Sequence, residues 1–482
     1  MIGRLRGGSG IVSLILFDVL AFYSALFLAY FTRTSLNTFF TGLAPLKFPL
    51  SHFFQFWWMP LTFLVFIAHE GLYVKRVPFW DEAKKMIRAL TVSVTVVLAI
   101  TTLGKETEAV SRLTLLLLGC YSTVLFPIVR FAGKRILYRA GLWKENLIIL
   151  GAGKAGVEIA KGIDNERHLG YNIIGFLDDD KEKIGRKISV NNKKYKVFGK
   201  VRNFKKFLVF LNISTIVIAI PSLSVEELSK LTNNVQKYTK RVLLVPDLKG
   251  IALVNTELHH FFVQQLFLLK INNNLKSLSN KFIKRTFDIV FSVLFLPVLL
   301  FIIGIIGIAI RLDSPGSLFL IQDRLGKDGK IFKCIKFRTM YMNCEEIFGK
   351  YLKGNNEAAE EWIKYRKLRE YDPRVTKAGL FLRKTSLDEL PQIFNVLTGR
   401  MSLFGPRPYL PSEEADMKDY RDLILLTQPG ITGLWQVSGR NELAFEDRLK
   451  LDAWYVLNWS LWLDIVILFK TIKVVLCREG AY

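Results

Sequence analysis

Two adjacent carboxylates, Asp388 and Glu389, lie in the run Arg383-Lys384-Thr385-Ser386-Leu387-Asp388-Glu389-Leu390-Pro391-Gln392, and the turn Gly405-Pro406-Arg407-Pro408 follows soon after. An acid pair flanked by Arg and Lys can hold a divalent ion and a diphosphate. The ion offsets the repulsion between the carboxylates, and guanidinium groups take the remaining phosphate oxygens. Out of context the same residues read as an exposed helical turn whose charges face water. The context is a long apolar segment upstream, Phe287–Ile310. The pattern therefore points to phosphate chemistry at a membrane surface.

The chain has 482 residues, 67 Lys+Arg against 42 Asp+Glu, a formal charge of +25, and is 51% hydrophobic. Basic and apolar together suggest an anionic bilayer face. A nucleic-acid partner is the competing explanation of the charge, but long uncharged runs are costly in a soluble nucleic-acid binder and expected in a membrane protein. Cys120, Cys334, Cys344 and Cys477 form no CxxC or His/Cys cluster of metal-ligand spacing, so reduced structural thiols are expected. The histidines, including His259-His260, likewise show no relay or metal spacing.

Four apolar segments, about Ile11–Phe31, Phe53–His69, Ile87–Leu103 and Leu113–Phe131, approach the ~20 residues that cross ~30 Å of hydrocarbon. The first follows Arg4 and Arg6 but has no small-residue cleavage site, so it reads as an anchor. Lys75, Arg76, Lys84, Lys85 and Arg88 fill the second loop, and Arg130, Lys134, Arg135, Arg139 and Lys144 follow the fourth segment. The remaining loops carry few cations, Arg33 and Lys47 in one and Lys105 and Arg112 beside Glu106 and Glu108 in the other. The positive-inside rule then places both ends of this bundle in the cytoplasm. Asp18 and Glu70 are expected at helix ends or facing the bundle interior.

Next comes an α/β pattern. The short strand Asn146–Leu150 runs into Gly151-Ala152-Gly153-Lys154-Ala155-Gly156 and then a helical stretch, a G-x-G-x-x-G in the strand-to-helix setting that lets a phosphate approach amides at a helix N-terminus. Gly151, Gly153 and Gly156 are the candidate nucleotide-binding glycines. Asp178 ends the next strand, Tyr171–Leu177, 22 residues past Gly156, as a partner for a ribose hydroxyl. Strands at Ile216–Ile220 and Arg241–Val245 around a helix Val225–Tyr238 continue the alternation of a Rossmann-like module. Nucleotide or cofactor sensing and a structural or dimerising role fit it equally. A dehydrogenase or epimerase would need a Tyr/Lys pair beside the glycines, and Tyr171 is not placed for that.

The segment Phe287–Ile310 has cations on both sides, Lys281, Lys284 and Arg285 before it and Arg311 after, so charge gives no direction of crossing. Pro297 near its middle removes a backbone donor and predicts a bend. A full crossing would put the acid pair outside the cell, so a re-entrant helix over about 282–311 is expected. Around it, Asp313-Ser314-Pro315-Gly316, Gln322-Asp323-Arg324-Leu325-Gly326, Lys336-Phe337-Arg338-Thr339-Met340, Asp372-Pro373-Arg374-Val375-Thr376, the Asp388-Glu389 segment and Gly405-Pro406-Arg407-Pro408 occur in one order. From about Lys281 to Tyr482 the chain thus resembles the bacterial polyprenyl-phosphate sugar-1-phosphate transferases, and with its bundle and α/β module it resembles the large form of that family. It departs where the family commonly has Ser before the proline, because here Leu296 stands there.

The resemblance implies a membrane α plus α/β protein in three parts, a four-helix transmembrane bundle over 1–140, a Rossmann-like module over 141–270 and a monotopic catalytic domain over 271–482 with the re-entrant helix. It implies transfer of hexose-1-phosphate, galactose or glucose, from a UDP-hexose to undecaprenyl phosphate at the cytoplasmic face of the bacterial inner membrane, starting polysaccharide or O-antigen assembly. In that reaction Asp388 attacks the β-phosphate, UMP leaves, and the lipid phosphate attacks the phosphosugar-Asp intermediate. Mg²⁺ is held by Glu389 and Asp388, or Glu389 acts as the base. Arg383, Arg407, Arg324, Lys336 and Arg338, with Pro408 and Asp452, are the candidate substrate-binding residues. The glycine-punctuated loop Gln428–Arg440 reads as a nucleotide cover or as a packed connector. The tail Trp454–Leu476 is expected to be an interfacial amphipathic helix. A homodimer is expected, nucleic acid is not a partner, and the alternative is a membrane scaffold or nucleotide sensor that regulates polysaccharide export.

Overall fold

Long uncharged runs satisfy their backbone groups only as helices when they lie in lipid, and that is how the first part of the chain is built. The computed structural model describes residues 2–39, 49–104, 110–211, 213–239, 241–245, 256–261, 266–271, 274–355, 371–439 and 443–477. The expectations on Lys47, Lys105, Glu106, Glu108 and Arg440 lie outside the described residues, as do the side chains of Arg4, Arg6, His259, His260 and Cys477. The chain divides into two units, Met1–Leu248 and Lys249–Tyr482.

The first unit opens with helices α1 (Ile2–Phe39), α2 (Trp58–His69), α3 (Phe79–Leu103) and α4 (Arg112–Arg139). Stretches of α1, α3 and α4 are long and apolar enough to cross a membrane. The expected second crossing is instead split between a 3₁₀ turn, Leu50–Gln55, and the 12-residue α2, whose helical rise is only about 18 Å. In the bundle core Phe63 meets Phe22 edge to face and stacks on Phe126, and Gly133 of α4 leaves no room for a Cβ against the Phe17 ring of α1. Asp18 does face the interior, where it meets Arg130 at 2.6 Å and the Tyr73 hydroxyl at 2.7 Å. Arg130 continues to Glu82 at 2.8 Å, and Glu82 to Lys134 at 2.6 Å. Glu70 pairs with Arg88 at 3.4 Å.

The α/β module follows, with β1 (Glu145–Leu150), α5 (Lys154–Asn165), β2 (Tyr171–Leu177), β3 (Lys187–Val190), β4 (Lys193–Gly199), α6 (Phe204–Phe210), β5 (Thr215–Ile218), α7 (Val225–Gln236) and β6 (Arg241–Leu244). The sheet order is β3-β4-β2-β1-β5-β6, parallel except for β3. Side chains alternate between two cores. Leu147 and Ile149 face Val157 and Ala160 of α5, while Ile148 and Leu150 face Phe204, Leu208 and Val235. The β3–β4 hairpin and α6 are additions to the expected pattern. Glu145, at the start of β1, accepts from Ser214, Thr215 and Arg241, and pairs at 2.9 Å with Arg76 from the loop between α2 and α3.

The second unit contains the antiparallel pair β7 (Thr256–Phe261) and β8 (Leu266–Ile271), then α8 (Leu278–Asp313), the hairpin β9 (Phe319–Leu325) and β10 (Ile331–Phe337), and α9 (Cys344–Gly354). After these come α10 (Lys377–Thr385), a 3₁₀ turn Leu387–Gln392, α11 (Ile393–Leu397), β11 (Ser402–Phe404), α12 (Arg421–Ile424), β12 (Gly430–Thr432), α13 (Phe445–Leu457) and α14 (Leu461–Cys477). Helix α8 runs through Pro297 as one element and is long and apolar enough to cross a membrane. Its middle is bare, with Val293, Leu294, Phe295, Val298 and Phe301 exposed, yet both ends are fastened within this unit. Near the start, Lys284 reaches Asp464 at 2.9 Å and Arg285 donates to the carbonyls of Val396 and Leu397. Near the end, Ile306 and Ile310 pack with Phe337 and Leu382, and Asp313 accepts the Ala378 N–H at 2.9 Å. The tail differs from the expected single amphipathic helix. It breaks between α13 and α14, and Trp459 and Asp464 are buried in the cluster that grips Lys284.

Candidate active site

Helix α10 starts where Thr376 caps it by accepting the Gly379 N–H at 2.9 Å. Gly379 is required there because a Cβ would collide with the Thr339 carbonyl, so the Asp372-Pro373-Arg374-Val375-Thr376 turn and the Arg338-Thr339-Met340 strand end are joined, with a bridge at Met340–Val375. The helix stops at Ser386, a non-glycine residue in the left-handed region (φ 58°, ψ 20°), which costs roughly 1–2 kcal/mol. The chain then tightens into the 3₁₀ turn. Residues three apart eclipse in such a turn, so Leu387 and Leu390 both pack into the cluster of Ile306, Ile310, Phe337 and Leu382, and Asp388 and Glu389 are turned to the other side.

What faces them comes from the hairpin. Pairing of Phe332 with Arg324 and Cys334 with Gln322 puts Arg324, Cys334 and Lys336 on one face. Lys336 Nζ lies 2.6 Å from Glu389 Oε1. Burial, then the Glu389 carboxylate, pushes Asp388 up to about 6, while Lys336 and Arg383 pull it down. Arg383 donates to Thr339 Oγ1 at 2.9 Å. Burial lowers its affinity for the proton, and Asp388 and Asp372 act in the opposite sense. Two carboxylates on one turn are the oxygen donors that could hold a hard divalent cation. Among the described residues no group of three or more His, Cys, Asp or Glu forms a metal cluster.

Not every candidate turns toward the acid pair. Arg338 is held at the end of α8, donating to the carbonyls of Ser314 (2.7 Å) and Pro315 (2.5 Å). Arg324 donates to the Pro408 carbonyl at 3.0 Å and to Gln322 at 2.7 Å, fixing the Gly405–Tyr409 loop. On the loop's other side Asp452 of α13 is fully buried and accepts from the backbone N–H of Arg407 at 3.0 Å and the Tyr409 hydroxyl at 2.8 Å. Burial pushes Asp452 up to about 7. The Arg407 guanidinium lies 5.4 Å over the Trp435 ring. Gly405, Gly430 and Gly433 approach one another too closely for any Cβ, so the start of the glycine-punctuated segment is a packed connector, β12 pairing with β11.

Sequence reading missed Ser386, Tyr409 and Gln392. Gln392 is 1% exposed and neither its amide oxygen nor its nitrogen has a hydrogen-bond partner. The hairpin that carries Lys336 was missed too, although the alternation Phe332, Cys334, Lys336 and the turn glycines Gly326 and Gly329 signal it.

In the first unit, Gly151 adopts φ +100° and Gly156 lies too close to the Gly151 carbonyl for a Cβ, while Gly153 has open space. Asp178 accepts the Ala152 N–H at 2.7 Å and the Asp180 N–H at 2.9 Å, and so closes the glycine loop itself.

Residues 279–478 match the bacterial sugar transferase family, and residues 70–246 match a CoA-binding domain. The chain is 37% identical over 417 residues to a UDP-galactose-lipid carrier transferase of Erwinia amylovora, covering 85% of this chain and 84% of that protein. It is 37% identical over 410 residues to the undecaprenyl-phosphate galactose phosphotransferase of Salmonella typhimurium, again 85% and 84%. To the UDP-glucose:undecaprenyl-phosphate glucose-1-phosphate transferase of Escherichia coli it is 31% identical over 353 residues, 71% of this chain and 70% of that one. Aligned along most of their length with relatives of this kind, and carrying the acid pair within the matched segment, the chain is an enzyme that belongs to the bacterial sugar transferase family.

Proposed function

We propose that the protein transfers hexose-1-phosphate, galactose or glucose, from a UDP-hexose to undecaprenyl phosphate. The observation that carries this is Asp388, a carboxylate enclosed beside Glu389 and acted on by Lys336 and Arg383. An Asp388 oxygen attacks the β-phosphorus, the bond from that phosphorus to the bridging oxygen breaks, and UMP leaves with the electron pair. An oxygen of the lipid phosphate then attacks the same phosphorus, releasing Asp388 and forming the diphosphate-linked lipid sugar. Arg383, Arg407 and Lys336 neutralise phosphate charge, while Arg324 and Arg338 hold the frame. Asp388 and Glu389 would hold Mg²⁺, which supplies Lewis-acid polarisation of phosphate oxygens.

The fastening of both ends of α8 within one unit supports a re-entrant helix, with the catalytic part at the cytoplasmic face of the inner membrane. The parallel order switching at β1 supports a Rossmann-like reading of the module, and the protein works as a homodimer.

The test uses purified protein in nanodiscs with undecaprenyl phosphate, Mg²⁺ and a panel of UDP-sugars. UMP release and a lipid heavier by one hexose phosphate are expected, and radiolabelled sugar is trapped on the protein when the acceptor is omitted. Unchanged UMP release by Asp388→Asn would overturn the nucleophile assignment.

A further inference from the structure

The loop that carries Arg407 is clamped by two elements. From β9, Arg324 holds the Pro408 carbonyl, and the Leu325 N–H donates to the Tyr409 carbonyl at 2.8 Å. From α13, a single oxygen of Asp452, Oδ2, takes both the Arg407 N–H and the Tyr409 hydroxyl. Asp452 has no solvent exposure, and its other oxygen, Oδ1, is buried without a hydrogen-bond partner in the protein. Burying a carboxylate with an unpaired oxygen is unfavourable, and packing alone would be served better by an apolar residue or a neutral amide. The carboxylate acts on the main chain at the Cα from which the Arg407 side chain departs. That side chain extends over Trp435 and stands 3.9 Å from Glu413, and Arg448, one turn before Asp452 on the same helix, covers the same ring at 5.8 Å.

We propose that Asp452 is the positioning residue of the site, fixing the Arg407 backbone so that its guanidinium is held over Trp435, ready for a phosphate of the nucleotide sugar. Asp452 itself touches no substrate. The inference rests on the transferase reading given above and specifies which residue sets its phosphate-binding arginine.

A positioning role affects binding more than the chemical step, and it has nothing to position once Arg407 is gone. In the full-length protein, Asp452→Ala is expected to raise the KM for the UDP-sugar at least tenfold with kcat changed less than threefold. Asp452→Asn, whose amide oxygen can accept both hydrogen bonds, restores KM to within threefold of the parent. In an Arg407→Ala background, Asp452→Ala adds less than twofold. If Asp452→Ala does not fold by melting temperature, Asp452→Ser replaces it, since its hydroxyl is too short to reach the Arg407 N–H, and the same KM rise is expected. An equal effect of Asp452→Ala with and without Arg407, or a fall in kcat at constant KM, overturns the proposal. Absence of sugar-phosphate transfer by the parent protein defeats the transferase reading instead, so the two failures are separable.

Discussion

Burial and the Glu389 carboxylate hold Asp388 at about 6, against an ordinary value of 3.8. A nucleophilic carboxylate must be ionised, so the rate of UMP release is expected to fall tenfold per pH unit below about 6, measured from pH 4.5 to 8. A flat profile across that range would remove Asp388 from the attacking role. The same shift weakens the fold in a defined window. Below about pH 4 the carboxyl is protonated in both the folded and unfolded chain. Between about 4 and 6 the unfolded chain ionises first, and the folded state loses stability as pH rises. Asp388→Asn should therefore abolish turnover while raising the melting temperature by a few degrees at pH 7.5 and not at pH 4. An unchanged melting temperature at pH 7.5 would show that the site does not strain this carboxylate. The acid pair is legible in the sequence because its members are neighbours there. Lys336 lies 53 positions from Glu389, and the left-handed Ser386 is a backbone property that no residue type at that position announces.

Elements are held where buried charges meet in pairs, and such pairs are hidden in a sequence for the same reason. Asp18 and Arg130 are 112 positions apart, Lys284 and Asp464 180 apart. An acid in an apolar run shows that a partner is needed but not where it is. Lys284 ties α8 to the rest of its unit. Its ammonium donates to Asp464, to the Phe404 carbonyl at 2.9 Å and to the Tyr455 hydroxyl at 3.1 Å. Lys284→Met should leave the Asp464 carboxylate buried without its counter-charge, at about 3–5 kcal/mol, read as a loss of folded protein in thermal or denaturant unfolding. Replacing Asp464 with Leu as well should recover part of it, because no charge is then left buried, while the Tyr455 hydroxyl and the Trp459 indole N–H lose the carboxylate they donate to. If the double variant is as unstable as Lys284→Met alone, the cost lies in lost packing and hydrogen bonds and not in the unpaired charge. The tail was misread on the same account, since Asp464 looks like a water-facing interruption until Lys284 is placed beside it.

At the scale of the molecule, the alternation of strands and helices in the module and the apolar runs were readable because each depends on local periodicity. The re-entrant path expected for α8 rested on Pro297 and on keeping the acid pair in the cytoplasm, whereas the contacts of its two ends were not legible in the sequence. From Asp288, which accepts the Leu403 N–H at 3.1 Å, to Ile306, packed with Phe337 and Leu382, a straight helix would rise about 27 Å, close to the ~30 Å of a bilayer's hydrocarbon. A helix that crossed would carry one of these attachments to the far side. Both attachments belong to the unit that holds Asp388 and Glu389, and between them the side chains of Val293, Leu294, Phe295, Val298 and Phe301 are exposed. The re-entrant path proposed above, with entry and return on one face, is the one these two attachments support. In a cysteine-free background that retains activity, single cysteines replacing Asn280 and Ser317, just before and just after the membrane-facing stretch, should both react with a membrane-impermeant maleimide in inside-out vesicles and neither in right-side-out ones. Reaction of one position from each side would establish a full crossing, and would place the acid pair on the opposite face from the start of α8, where no UDP-sugar could reach it from the cytoplasm.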